Sequence, residues 1–122
     1  MTRHQQLAVG LAAGLACLAA GSARAATPTL QGTVGPSFSI ALTQNGKAVK
    51  KLSAGTYKIV VADKASIHNF VLEQAKGGSF EKDLTSVPFT GTKTVTVKLT
   101  AGKWEFYCRP HESVMHGEFT VS

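Results

Sequence analysis

Beyond Pro28 the chain nowhere sustains the 3.6-residue apolar period of an amphipathic helix. Its apolar residues fall in short alternating runs broken by glycine, Asn-Gly and proline. Alternation with a period of two puts successive side chains on opposite faces of a strand, so the pattern restricts the fold to β-structure. The runs predict strands at Thr29–Val34, Ser37–Thr43, Thr56–Ala62, His68–Leu72, Thr92–Thr100, Lys103–Cys108 and Glu118–Val121. Gln44-Asn45-Gly46-Lys47 and Thr100-Ala101-Gly102-Lys103 read as hairpin turns. The segment Lys76–Thr90 has no clear period and reads as loop or a single helical turn. The expectation is one all-β domain, a Greek-key β-sandwich of about seven to eight strands or a small barrel.

The same alternation assigns faces. Val95, Val97 and Leu99 share one side of their strand, and Tyr57, Ile59 and Val61 share one side of theirs. In Lys103–Cys108 the rule groups Trp104, Phe106 and Cys108 against Glu105 and Tyr107. In His68–Leu72 it groups His68, Phe70 and Leu72. Cys108 and His68 thus end two core-facing stripes, where a polar atom needs a partner. If the two strands are neighbours, one metal ion can serve both.

The first residues read differently. A charge-free run of roughly fourteen residues from Leu7 to Ala20 follows Arg3 and His4, and Ala23-Arg24-Ala25 places small residues at the cleavage-determining positions. The run is shorter than the about twenty residues of a spanning helix. Residues 1–25 therefore read as a signal peptide, with 26–122 as the single exported domain, periplasmic or extracellular. A lipid anchor on Cys17 competes with soluble export, but Gly14-Leu15-Ala16 lacks the branched apolar residue such an anchor wants three positions upstream. Removing the leader leaves Cys108 as the one cysteine of the domain. A lone thiol in an oxidising compartment calls for something to occupy it. It also leaves 11 Lys and Arg against 7 Asp and Glu, a net of +4, with the lysines spread too evenly for a nucleic-acid patch.

The stretch Phe106–Gly117, FYCRPHESVMHG, carries a thiolate, two imidazoles and a thioether. Cys108, two residues, His111, three residues and Met115 form a loop with donors of graded softness, and His68 adds a second imidazole. Two His, one Cys and a weak axial Met are the donor set of a blue copper centre. With "HNF" at His68–Phe70 and "YCRPHESVMHGEFTV" at Tyr107–Val121, the chain resembles the cupredoxin family, in particular its plastocyanin/azurin-like members, from about Leu30 to Ser122. The resemblance implies a β-sandwich, one type 1 copper ion held by His68, Cys108, His111 and Met115, and no enzymatic activity. It also implies that Asn69 ties the two ligand-bearing segments together by hydrogen bonds. The loop departs from the familiar spacings: plastocyanin-like loops have four residues between His and Met, amicyanin-like loops two, and azurin-like loops three but a longer gap from Cys to His. His116 follows Met115 and is expected to face solvent.

Two functions fit this donor set: a shuttle for single electrons, and a copper carrier or scavenger without a redox partner. Zinc competes for the same donors. A Cys108/His111 thiol enzyme lacks an orienting Asn or Asp, and Tyr107 and Arg109 stand where multicopper enzymes place relaying histidines. As a shuttle the protein is expected to be a monomer that passes electrons through His111 within an apolar patch of Pro36, Phe38, Pro110 and Val114. Its lysines and Arg109 favour an acidic redox partner. Pro110 has no amide hydrogen to offer the Cys108 sulfur, which should lower the reduction potential.

Overall fold

The structure is a computed structural model and describes residues 26–122. The leader expected at 1–25, and Cys17 within it, lie outside the described residues. Ten strands form: β1 Thr29–Val34, β2 Ile40–Gln44, β3 Lys47–Ala48, β4 Lys51–Leu52, β5 Gly55–Asp63, β6 Val71–Lys76, β7 Glu81–Asp83, β8 Gly91–Leu99, β9 Gly102–Tyr107 and β10 His116–Val121. They make two five-stranded sheets, ordered β3-β2-β1-β5-β8 and β4-β10-β9-β6-β7. Pairing is antiparallel except for β1 with β5 and β10 with β4. This is the expected sandwich. The three strands beyond the seven expected, β3, β4 and β7, are two or three residues long and too short to show a period.

Three local readings are refined. Gln44–Lys47 does form a hairpin, with Asn45 and Gly46 at φ 52° and 80°, the left-handed pair of a type I′ turn. Thr100–Lys103 does not: β8 and β9 belong to different sheets, so this turn carries the chain across the sandwich. Lys76–Thr90 holds the edge strand β7 rather than a helical turn. The strand expected from His68 begins only at Val71. Phe70 is claimed by another segment, since Leu84 N and Thr85 N both donate to Phe70 O (2.7 and 3.3 Å) and Phe70 N donates to Thr85 Oγ1 (2.9 Å).

Between the sheets the inward stripes meet as the alternation requires. Tyr57, Ile59, Val61, Val97 and Leu99 from one sheet face Leu72, Trp104, Phe106, Phe119 and Val121 from the other. Aromatic rings fill the second sheet's inner face. Phe70 and Phe106 stack at 5.8 Å and 9°, Trp104 and Phe119 at 6.3 Å and 18°, and Phe106 and Phe119 join them at 6.4 Å. Each such ring removes about 150–250 Å² from water, so a handful of them supplies much of the hydrophobic stabilisation in so small a domain. Gly117, paired with Phe106 across β9 and β10, leaves room for that ring: a Cβ there would collide with Phe106 Cζ.

Phe106 is buried, stacked on Phe70 and packed against Phe119, so its ring has little space into which to retreat. Gly117→Ala is therefore expected to destabilise the domain by about 2 kcal/mol, the usual cost of overpacking, read from the denaturant midpoint at unchanged m-value.

Candidate metal centre

β6 and β9 are antiparallel neighbours, with Val71 opposite Tyr107. The residues just before β6 and just after β9 therefore arrive together at one end of the sandwich. His68, Asn69 and Cys108 are buried there, at 0, 1 and 0 % exposure. From Cys108, which is extended (φ −98°, ψ 120°), the chain enters the 3₁₀ turn Arg109–His111. Pro110 suits the first turn of this helix, where its missing amide hydrogen costs nothing. His111 N donates to Cys108 O (3.0 Å), Met115 N to His111 O (2.9 Å), and Cys108 N to Met115 O (3.0 Å). The loop is thus closed on itself by its own backbone.

Three donor atoms converge. His68 Nδ1 lies 3.2 Å from His111 Nδ1, and Cys108 Sγ lies 3.7 Å from the first and 3.6 Å from the second. The centre of that triangle is about 2.0 Å from each corner, the length of a metal–imidazole bond and a little short of a metal–thiolate bond. Two imidazole nitrogens and a sulfur turned toward one point at these distances are the mixture of donors that a soft cation takes. Met115, the fourth expected donor, is 1 % exposed and carried by the same closed loop. The His68 and His111 rings cross at 82°. His68 is sealed, whereas His111 is half-buried.

Asn69 joins the two segments. Its backbone N donates to Cys108 Sγ (3.5 Å), its Oδ1 accepts from Arg109 N (2.8 Å), and its Nδ2 donates to Thr85 O (3.2 Å) and Asp83 Oδ2 (3.1 Å). Arg109 extends the tie outward: its guanidinium pairs with Asp83 and reaches Glu81 Oε1 at 3.5 Å. The bond to Asp83 holds the guanidinium charge more firmly than usual. Arg109 is therefore a strut, already neutralised, rather than the free cation expected for partner attraction. His116 turns outward as expected, with Nδ1 3.8 Å from Glu105 Oε2.

The outer face of this sheet carries a feature that only register reveals. Glu81, Glu73, Glu105 and Glu118 stand opposite one another on β7, β6, β9 and β10. Glu112 from the ligand loop brings its carboxylate within 4.8 Å of those of Glu73 and Glu105. Glu81 is eased by a hydrogen bond from Tyr107 Oη (3.0 Å), which holds its carboxyl below the ordinary range. Glu105 has no such relief. Burial, then its hydrogen bond to Glu112 and the charges of Glu112, Glu73 and Glu118, push it up to about 7.

The fold and the convergent His-Cys-His donors define a cupredoxin sandwich with a soft metal centre at one end. The chain matches the family of copper-binding proteins described as plastocyanin/azurin over residues 37–122, and it belongs to that family. Copper is accordingly its metal, and the donors present suit it. Among solved structures, a copper protein rusticyanin aligns at TM-score 0.56 with 18 % identity, covering 79 % of this chain and 78 % of that one. Reduced rusticyanin aligns at 0.57 with 18 % identity over 82 % of each. Identities this low establish likeness of fold. A reduced Cu(I) amicyanin variant stands at TM-score 0.49 and 13 % identity, covering 84 % of this chain and 89 % of that one, too distant to argue from. A comparison with curated proteins finds no match.

A carboxyl raised in the folded state keeps its proton between pH 4.5 and about 7, where the unfolded chain has released it. Its contribution to stability is therefore present at low pH and lost as pH rises through that window. Glu105→Gln is expected to be more stable than the wild type at pH 8 by about 1 kcal/mol, discounted for partial exposure and for His116 nearby. The difference should vanish near pH 4.5 in thermal melts across that range.

Proposed function

We propose that residues 26–122 form an exported type 1 copper protein that carries single electrons between partner proteins, with His68, Cys108, His111 and Met115 as the copper ligands. The observation that carries this reading is the donor triangle sized for one ion, with one imidazole sealed and the other reaching the surface. Copper supplies the one-electron couple. The protein supplies a rigid, buried mixture of soft sulfur and imidazole donors that suits both oxidation states and needs little rearrangement between them.

The surroundings support a shuttle over a carrier. The large apolar residues exposed among the described residues are Phe38, Ile67, Val87 and Val114. Each lies at the metal end: Phe38 packs on both histidines, Ile67 precedes His68, Val114 belongs to the ligand loop, and Val87 shares a shallow pocket with Asn69 and Pro110. Ile67 and Val87 escaped the sequence reading because neither lies in the ligand motif. An apolar rim around a half-exposed ligand fits a brief encounter with a redox protein. Among the described residues no helix is long and apolar enough to cross a membrane. The leader-like residues 1–25 and the single thiol of the domain support export.

The purified domain loaded with Cu(II) is expected to show an intense visible thiolate-to-copper absorption that Cys108→Ser abolishes. A colourless wild-type copper complex would sink the reading. In Cu(II)-Cu(I) self-exchange followed by NMR line broadening, fast exchange is expected of a shuttle and slow exchange of a carrier.

Pro110 sits one residue beyond Arg109, and the backbone donor that reaches the Cys108 sulfur is Asn69 N. Pro110→Ala restores an amide hydrogen beside the thiolate, withdrawing electron density from it and disfavouring Cu(II). The midpoint potential is expected to rise in voltammetry. An unchanged or lower potential refutes that role for the proline.

A further inference from the structure

A metal-binding histidine almost always donates its second ring N–H to a carbonyl, carboxylate or water, and that bond fixes the plane of the imidazole. His68 breaks the pattern. Its Nδ1 faces Cys108 and His111, while its Nε2 is sealed from solvent and has no hydrogen-bond partner. Something other than a hydrogen bond must hold this ring.

Two neighbours are in place to do so. Gly35 approaches the ring so closely that a Cβ there would meet His68 Cδ2 at 3.2 Å. The second neighbour is Phe38. Its centroid is 5.1 Å from that of His68 at an interplanar angle of 71°, and 4.9 Å from that of His111 at 82°. With the histidines themselves crossed at 82°, the three rings form a mutually perpendicular cluster. Edge-to-face contact at this separation is the preferred aromatic geometry. Turning either imidazole breaks its contact with the same phenyl ring. Phe38 is also 57 % exposed, although burial is the usual fate of a phenylalanine. Its loop does not need the ring: Gly35 N donates to Ser39 O at 2.9 Å, and Ser37 and Ser39 join their hydroxyls at 3.1 Å.

We propose that Phe38 is a positioning residue of the metal centre, holding the His68 and His111 rings in their crossed arrangement and keeping water off both. The proposal rests on the copper assignment for its effect on potential and on geometry alone for its effect on the rings. The oxidised centre carries one more positive charge than the reduced one. An apolar ring that excludes water from the ligands therefore disfavours the oxidised form, and removing it admits water that stabilises that form.

The test compares Phe38→Ala and Phe38→Tyr with the wild type in two measurements. In the copper-free protein, nuclear Overhauser contacts from the imidazole ring protons to their other neighbours, such as the Ala65 methyl and the Cys108 side chain, together with line widths, report ring orientation apart from the ring-current shift that losing the phenyl itself causes. Phe38→Ala is expected to weaken those contacts and broaden the His68 and His111 resonances as the rings gain freedom, and Phe38→Tyr to leave them close to wild type. In the copper-loaded protein, Phe38→Ala is expected to favour Cu(II) over Cu(I) by about tenfold, a fall in midpoint potential of ~59 mV for a one-electron couple. Phe38→Tyr should restore most of it. Unchanged Overhauser contacts and line widths of both imidazoles in Phe38→Ala overturn the positioning role, whatever the potential does. A potential unchanged in Phe38→Ala overturns the shielding role. A wild type that binds copper without visible thiolate absorption defeats the copper assignment instead and leaves the NMR comparison intact. Far-UV circular dichroism confirms that both variants fold, as the exposure of Phe38 leads one to expect.

Discussion

The metal centre depends first on one buried amide. Asn69 stands at the entrance to β6 and spends both ends of its side chain on other segments: Oδ1 on the backbone of Arg109, Nδ2 on Thr85 and Asp83. Its own backbone N–H is what remains for the Cys108 sulfur. In an interior of low dielectric each of these bonds is stronger than in water, and leaving any one unmade costs more. The network therefore has one satisfactory arrangement, and that arrangement sets the spacing between the His68 segment and the Cys108 loop. The donors are brought within 3.2–3.7 Å of one another by the protein's own hydrogen bonds. Such a framework resists reshaping by the ion, which is the property that keeps rearrangement small when an electron arrives or leaves.

Much of this was legible in the sequence, because the features that mattered were periodic or spaced. The alternation in Val95–Leu99, Tyr57–Val61 and Trp104–Cys108 gave the inner faces correctly, and the Cys108-His111-Met115 spacing identified the loop. What escaped was set by long-range pairing. Nothing within Thr100–Lys103 distinguishes a hairpin from a turn between sheets; the difference lies in which strands β8 and β9 find as neighbours. His68–Phe70 looked like strand because its side chains alternate, yet its backbone is taken by Leu84 and Thr85 from a stretch with no visible period. Tyr107 fell on the outer face as expected but is buried there, covered by Arg109 at 5.7 Å and bonded to Glu81.

Charge shows the same gap between composition and arrangement. Residues 26–122 are cationic in sum, and their lysines are spaced along the sequence without clusters. Their carboxylates are another matter. Six of the seven acidic residues, all but Asp63, lie on β6, β7, β9, β10 or the ligand loop. Register lines four of them up in a single row. A count of charges predicts a uniform positive field, whereas the molecule presents one acidic sheet face on an otherwise basic body. What a partner meets at a distance is that distribution rather than its total.

The asymmetry between the two imidazoles then has a physical reading. Electron exchange needs one ligand near the surface, and every further opening admits water, raises the local dielectric and enlarges the rearrangement that accompanies a change of charge. His111, on a loop at the tip of the sandwich, is half-buried and, as a ligand of the proposed centre, would supply the opening. His68, in contact with Gly35 and Phe38 and with its Nε2 sealed, is closed even at the expense of an unpaired buried polar atom. An unmade hydrogen bond in so protected a place is tolerable when the group's other nitrogen has a strong partner, and a copper ion held jointly with Cys108 and His111, as proposed, would be such a partner. The exposed phenyl ring of Phe38 marks the boundary between the two regimes, touching the sealed imidazole and the open one at once.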